Sequence, residues 1–265
     1  MIVNIGFYPI LGYKNSFFLA HNLLAFLYLC RAKKNDSMYL IIFIVFMVLS
    51  LIVNKTLNAR IDKYSKMRLS SGLTGREVAE KMLHDNGIYD VTVTCTQGKL
   101  TDHYNPQDKT VNLSEGVFSS NSIAAAAVAA HECGHAIQHA TAYRWLTMRS
   151  KMVPMVNIGA KWSQWILLAG ILLLSFSNFF GQWVLLVGIV LFALTTVFSI
   201  ITLPVEYNAS QRAVAWLDET GITTGQENAY AKDALKWAAR TYLIAALSSL
   251  ATLLYYIAIF LGRRD

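Results

Sequence analysis

One stretch of this chain limits its possible folds more than any other: residues 162–205 contain no Asp, Glu, Lys or Arg. A helix crosses the hydrocarbon core of a bilayer with about 20 apolar residues. These 44 residues therefore suffice for two crossings. The segment SFSNFFGQ at 175–182 lies in the middle and favours a turn. We predict a transmembrane hairpin over 162–203 that returns the chain to the side of the membrane that it left.

Two further segments, 38–57 and 241–261, are apolar enough to cross a bilayer. In the first, only Ser50 interrupts the apolar run from Tyr39 to Val53. Charged residues make up 15% of the chain, whereas about 25% is typical of soluble proteins. We predict an α+β membrane protein, mainly helical, with a small β-sheet and about four transmembrane helices.

Residues 1–37 differ from the rest of the chain. Their apolar run, Phe17 to Cys30, is shorter than a membrane span and contains His21 and Asn22. No small-residue cleavage site follows it, so a signal peptide is disfavoured. We interpret 1–37 as an N-terminal extension, which either precedes a natural start at Met38 or forms an interfacial helix.

The motif HECGH at 131–135 carries the chemistry. It follows an alanine-rich run from Ile123 to Ala130 that favours a helix. Because residues four apart share one face of a helix, His131 and His135 can bind the same metal ion. Glu132, next to the first histidine, is suited to act as a base. This HExxH arrangement is typical of zinc hydrolases, so we predict one Zn²⁺ with Glu132 as the catalytic residue.

Catalytic zinc usually takes a third protein ligand. His139 lies eight residues beyond His131, about 12 Å along a helix, which is too far for one ion. We expect His139 to form a hydrogen bond or to face the cleft. Glu206 is the first charged residue after the uncharged stretch, and we predict it as the third ligand. Asn208 and Ser210 are candidates to bond the second nitrogen of a ligand histidine. The alternative is that Glu206 only complements a helix dipole.

A small sheet is predicted within the catalytic region, 58–161. Alternation over Tyr89 to Thr96 predicts one strand, and a further strand is expected at Thr110 to Leu113. Such a sheet can hold an extended peptide beside the metal, or it can merely cover the helix. His103 and Tyr104, in a short strand between these two, are candidates to polarise a carbonyl group or to stabilise an oxyanion.

The net charge of +7 does not indicate nucleic-acid binding, because the basic residues flank apolar segments. We predict a third-ligand helix and loop at 204–240, with Pro204 in the first turn of a new helix.

The basic residues on the motif side are Arg60, Lys63, Lys66, Arg68, Arg144, Arg149, Lys151, Lys161, Lys232, Lys236 and Arg240. Their excess predicts a multi-pass protein of the cell membrane with the active site on the cytoplasmic side.

Four segments together resemble the YugP-like family of membrane neutral zinc metallopeptidases. They are GLTG at 72–75, LTDHYNP at 100–106, AAHECGHAIQH at 129–139 and LPVEYNAS at 203–210. The likeness runs from about residue 38 to the C-terminus and does not cover 1–37. It implies a gluzincin-like peptidase but names no substrate.

The order of HExxH helix, membrane hairpin and glutamate helix is also similar to the HtpX and CAAX prenyl protease group. In that group an aspartate typically follows the ligand glutamate by four residues, where this chain has Ser210. In the YugP-like pattern an aspartate usually follows by two residues, where this chain has Asn208. These departures affect the residues around the ligands rather than the three ligands.

The leading hypothesis is a membrane-embedded zinc metallopeptidase that hydrolyses peptide bonds through a zinc-activated water, with Glu132 as general base. Its expected partners are the lipid bilayer and a protein or peptide substrate associated with the membrane. One alternative is a non-catalytic zinc-binding membrane scaffold, for which Glu132 would be dispensable. The other is a metal-dependent hydrolase of a non-peptide bond.

Overall fold

The computed structural model describes residues 36–262, in which seven helices and three strands are found. The predicted extension, 1–37, lies outside the described residues except for its last two positions, which begin the first helix. The elements are α1 (Asp36–Tyr64), α2 (Gly75–Asp85), β1 (Thr92–Thr96), β2 (His103–Asn105), β3 (Thr110–Ser114), α3 (Glu115–Phe118), α4 (Ile123–Ala140), α5 (Arg144–Leu173), α6 (Asn178–Glu219) and α7 (Gln226–Leu261).

The described residues divide into two compact units. The first unit comprises Ile52–Leu146 and Pro204–Thr241, and it contains the sheet and the HECGH motif. The second unit comprises 36–51, Thr147–Leu203 and 242–262. Four long helices, α1, α5, α6 and α7, contribute residues to both units.

The sheet of the first unit has the strand order β1–β3–β2. The central strand β3 is parallel to β1 and antiparallel to β2, with Val111 opposite both Val93 and Tyr104. Val111 and Leu113 of β3 are fully buried, as are Met82 and Leu83 of α2. Because β3 pairs on both sides, β2 is left as an edge strand of the sheet.

Helix α4 is favoured by its local sequence, through a capping residue and a run of alanines. The side chain of Ser122 caps its start by accepting a hydrogen bond from the Ala125 amide. Its alanines are strong helix formers, and their small side chains are almost all buried. At Gly134 the backbone of α6 comes so close that an added Cβ would lie 2.7 Å from the Ala209 carbonyl oxygen. This glycine therefore allows α4 and α6 to pack in close contact.

The second unit is built on close packing between α5 and α6. A Cβ at Gly170 would lie 2.6 Å from the Leu185 amide nitrogen, and one at Gly188 would lie 2.9 Å from Leu167. The apolar side chains around them form a separate buried cluster that includes Phe192. Within the part of the chain that the structure describes, four helical segments are long and apolar enough to cross a membrane, namely Leu40–Tyr64, Arg144–Leu173, Asn178–Glu219 and Gln226–Leu261. The predicted fold class, a mainly helical α+β membrane protein with a small sheet, is confirmed.

The expectation that Pro204 begins a new helix is wrong. Pro204 lies inside α6, which runs without a break for 42 residues. A proline removes one backbone amide from a helix, and apolar helices tolerate this loss where neighbouring groups satisfy the freed carbonyl. Two predicted segments are likewise continuous in α7, where the predicted boundary between residues 240 and 241 falls within one helix. Glu206 therefore lies in the interior of a long helix rather than at a helix start.

Candidate metal centre

Three side chains from two helices converge within the first unit. His131 and His135 lie one turn apart on α4, and Glu206 reaches them from α6. The carboxylate oxygen Oε2 of Glu206 lies 3.4 Å from His131 Nε2 and 3.6 Å from His135 Nε2. Nitrogen and oxygen ligands of a tetrahedral zinc ion, with bonds of about 2.0–2.1 Å, lie about 3.3 Å apart. The ligand types and their spacing therefore fit zinc.

Burial also favours a cation at this position. Glu206 is 3% exposed and His135 is 8% exposed. Removing a carboxylate from water is costly unless positive charge compensates it. Two imidazole rings and one buried carboxylate can share a divalent cation, and this arrangement lowers the cost of burying the charge.

Each histidine has a partner for its outer nitrogen. His131 Nδ1 lies 3.2 Å from the Ser210 hydroxyl oxygen, and His135 Nδ1 lies 3.1 Å from Gln138 Oε1. Nε2 of both rings consequently faces Glu206. Histidines that bind metal are commonly held in this way through the ring nitrogen that does not bind the ion.

Asn208 is placed one step further from the centre. Its Oδ1 accepts hydrogen bonds from Gln138 Nε2 at 3.0 Å and from Arg212 Nε at 2.8 Å. It therefore bonds to Gln138, the partner of His135, and not to His131 or His135 as the sequence had suggested.

Glu132 lies beside the centre and is held by the sheet. Its Oε2 accepts a hydrogen bond of 3.1 Å from the backbone amide of Tyr104. Burial raises the pKa of Glu132 to about 7, and the negative charges of Asp102 and Glu206 act in the same direction. The charge of His131 and the Tyr104 amide oppose this rise.

The hydrogen bond to Glu132 shows which edge of β2 faces the helix. Because the Tyr104 amide donates to Glu132, it points away from β3. The side chain of Tyr104 makes a second connection to α4, since its hydroxyl lies 2.8 Å from His139 Nδ1. Burial raises the pKa of Tyr104 to about 12, so the phenol stays protonated and can donate to His139. Tyr104 thus joins β2 to α4 through both its backbone and its side chain.

His103 is oriented by its own loop. Its Nδ1 lies 2.7 Å from the carbonyl oxygen of Thr101, so Nδ1 is the donor in this contact. In the neutral ring, Nε2 is then an acceptor. A donor for an oxyanion would be present at Nε2 only in the imidazolium form.

Three residues around the centre were not singled out by the sequence reasoning: Gln138, Arg212 and Asp102. Gln138 lies three residues after His135, which puts it on the same helix face, and this spacing was the available signal. Asp102 accepts hydrogen bonds from the amide and hydroxyl of Ser114, and these bonds join the start of β2 to the end of β3. Burial raises the pKa of Asp102.

A pair of imidazoles one turn apart, completed by a carboxylate from a distant helix, is the metal-binding arrangement of HExxH hydrolases. Here it occurs in a chain whose described residues, 36–262, include four helices long and apolar enough to cross a membrane. Comparison with protein families shows to which family of such proteins the chain belongs. The chain belongs to the family described as "Putative neutral zinc metallopeptidase", whose model matches residues 39–261. The resemblance predicted from the motifs is thereby confirmed.

The chain is also similar to a Bacillus subtilis (strain 168) protein named "Putative membrane protease YugP". The two are 43% identical over 204 residues, which cover 77% of this chain and 88% of that protein. No solved structure matched the chain in the corresponding comparison.

Proposed function

We propose that this protein is a membrane-embedded zinc metallopeptidase that hydrolyses peptide bonds. His131, His135 and Glu206 would hold one zinc ion, and Glu132 would act as general base. The observation that carries the proposal is the position of the Glu206 carboxylate against Nε2 of both histidines. Membership of the zinc metallopeptidase family supports the same metal and the same class of reaction.

A zinc ion bound there would supply Lewis acidity, which lowers the pKa of a water molecule toward about 7 and polarises a carbonyl group. The residues of the protein would carry out the proton transfers. Glu132 would accept the proton of the attacking water and later pass it to the leaving amine. The Tyr104 amide holds Oε2 of this carboxylate, so Oε1 can serve the proton transfer. His139 would stabilise this arrangement by holding the Tyr104 hydroxyl.

The substrate that fits this site best is an extended segment of a membrane-associated protein or peptide. β2 is an edge strand, and its outer edge faces α4 at Tyr104. An edge strand can bind an extended peptide by main-chain pairing. Because the Tyr104 amide is bonded to Glu132, the Tyr104 carbonyl would be the group of β2 that accepts from the peptide. The excess of basic residues that flank the spans on the motif side supports a cytoplasmic location of the site.

The substitution Glu132→Gln tests the proposal. The variant keeps all three ligands, so zinc content measured on purified protein should equal that of the parent. Loss of a general base typically lowers the rate by about 10²–10⁴-fold. Glu115→Gln changes an exposed glutamate on α3 and is the matched control.

The readout is a comparison of membrane proteomes from cells that make the parent, the control or the Glu132→Gln protein. Uncut proteins should accumulate only with Glu132→Gln, and the new termini of their fragments in the parent and control strains identify the cleavage sites. Cleavage at the parent rate by Glu132→Gln would overturn the role of this base. Identical proteomes in all three strains would instead favour a zinc-binding scaffold, or hydrolysis of a non-peptide bond.

A further inference from the structure

Gln138 is completely buried between α4 and α6. Its side-chain amide makes three hydrogen bonds. Oε1 lies 3.1 Å from His135 Nδ1, and Nε2 donates to the Val205 carbonyl oxygen at 2.8 Å and to Asn208 Oδ1 at 3.0 Å. Both donor hydrogens of the amide are therefore used, and its oxygen faces the histidine. A buried amide satisfied at each of these positions has one defined orientation.

The chemistry of the neighbours fixes that orientation. The Val205 carbonyl can only accept, so the atom of Gln138 that faces it must be the nitrogen. Arg212 Nε can only donate, and it bonds to Asn208 at 2.8 Å, so the atom of Asn208 in that contact must be the oxygen. The same Asn208 oxygen accepts from Gln138. These contacts agree, and together they direct the Gln138 oxygen toward His135.

The oxygen of Gln138 determines the tautomer of His135. An amide oxygen only accepts hydrogen bonds, so Nδ1 of His135 must carry the proton. Nε2 then has a free lone pair, and this is the nitrogen that lies 3.6 Å from the Glu206 carboxylate. The opposite orientation of the amide would present a donor to His135 and favour the tautomer with the proton on Nε2.

Gln138 also acts on the third ligand. Val205 precedes Glu206 directly in the chain, so the bond from Gln138 Nε2 holds the backbone beside Glu206 against α4. Gln138 therefore contacts one ligand histidine through its oxygen and the glutamate-bearing turn through its nitrogen.

We propose that Gln138 is a positioning residue of the metal centre, which selects the metal-binding tautomer of His135 and fixes the Glu206 turn against α4. Asn208 and Arg212 set the direction of its amide. This inference rests on the proposed metal site, but it concerns zinc affinity and not the reaction.

The test measures zinc affinity of the purified full-length protein in detergent, by competition with a chelator of known affinity. Gln138→Met has similar length and no hydrogen-bonding groups. It should weaken zinc binding by about 10- to 100-fold, the usual cost of losing a group that orients a ligand. Gln138→Glu keeps an acceptor for His135 Nδ1 but loses both donors, so it should lose less affinity than Gln138→Met. Gln226→Met, at an exposed position at the start of α7, is the control.

A structural role alone would lower the melting temperature without changing the coordination of the metal. The cobalt-substituted proteins separate the two effects, because visible absorption bands of Co²⁺ report the geometry of its ligands. We expect altered bands in Gln138→Met and parent-like bands in the control. Zinc affinity within twofold of the parent in a folded Gln138→Met protein would overturn the proposal.

If Gln138→Met does not fold, Arg212→Met gives a second test. It leaves Gln138 in place but removes the donor that orients Asn208, and it should weaken zinc binding several-fold. Parent-like affinity in Arg212→Met and Gln138→Glu would overturn the proposal. These results are independent of turnover: affinity that depends on Gln138 in a protein that cleaves nothing would contradict the peptidase assignment but not the role of Gln138.

Discussion

At the scale of single residues, the candidate metal centre depends on which atom of each side chain faces its neighbour, and residue types alone do not determine this. The histidine pair and the adjacent glutamate follow from the four-residue spacing of the motif, and Glu206 follows from its place after the uncharged stretch. The role of Gln138 could not be predicted in the same way. Its oxygen contacts a neighbour on its own helix, but its nitrogen contacts residues 67 and 70 positions away. The spacing of residues along the helix predicts the contact with His135, but it does not predict the contacts with Val205 and Asn208.

Glu206→Gln should separate metal binding from folding. The amide keeps the volume of the side chain but removes the negative charge, so zinc affinity should fall by at least about 100-fold, more than for groups that only orient ligands. The metal-free variant should melt no lower than the metal-free parent, because a buried charge has been removed. Chelator competition and thermal unfolding measure the two effects, with exposed Glu219→Gln on the same helix as the control. Parent-like zinc binding would exclude Glu206 as a ligand.

Asp102 should make stability depend on pH. Burial raises the pKa of Asp102 above that of the unfolded chain, so the folded state binds this proton more tightly. The carboxyl group then costs stability at neutral pH, and this cost disappears as the pH falls below the unfolded pKa of about 3.9. Asp102→Asn keeps an acceptor for the Ser114 amide. It should raise the melting temperature at pH 7, with a difference from the parent that shrinks toward pH 4.

The control for Asp102 is Asp108→Asn, at an exposed turn position. Its melting temperature should follow that of the parent across the same pH range. A melting temperature of Asp102→Asn below that of the parent at pH 7 would show that the carboxylate is stabilising in the folded protein.

At the scale of elements, the contact between α4 and α6 decides whether Glu206 can reach the histidines. The alanine-rich sequence of α4 and its cap at Ser122 predict the helix itself. They do not predict that Gly134 meets the backbone of Ala209, because the register between two helices is set by packing and not by local preference. For a related reason α6 continues through Pro204. Its apolar residues pack along its length, and this packing outweighs the loss of one backbone hydrogen bond.

Gly134→Ala should weaken zinc binding at the proposed metal centre without changing any of the three proposed ligands. Its Cβ would lie 2.7 Å from the Ala209 carbonyl oxygen, so α4 and α6 must separate. Overpacking of this kind typically costs about 1–3 kcal/mol of stability. Zinc affinity should fall together with the melting temperature. Gly116→Ala is the matched control, since no atom lies within 4 Å of a Cβ there. Unchanged zinc affinity in Gly134→Ala would mean that the site does not depend on this close approach.

At the scale of the whole molecule, composition and apolar segments were sufficient to predict the class of fold. Charge-free stretches of the required length have few stable alternatives outside a bilayer, and the four candidate spans follow from them. The sheet is harder to predict, because the parallel pairing of β1 with β3 joins strands separated by a third. Loop lengths alone do not determine that order.

The proposed orientation can be checked with a variant that lacks the three native cysteines. In this background, Glu115→Cys should be protected from a membrane-impermeant thiol reagent in intact cells and should react after permeabilisation. Ser177→Cys, at the turn between α5 and α6, should react in intact cells. The reverse pattern would place the candidate active site outside the cytoplasm.

If the protein acts as the proposed peptidase, Tyr104 would have a consequence for the alignment of its substrate. In an antiparallel ladder the amide and the carbonyl of one residue point to the same side. The Tyr104 amide already holds Glu132. A peptide that pairs with β2 would meet the carbonyl of the same residue. The amide and the carbonyl of Tyr104 are separated by a distance that the covalent geometry of one residue fixes. The distance from Glu132 to the peptide bond that is cut would then be fixed in the same way. Cleavage would then occur at a constant distance from the paired residue, whatever the side chains of the substrate.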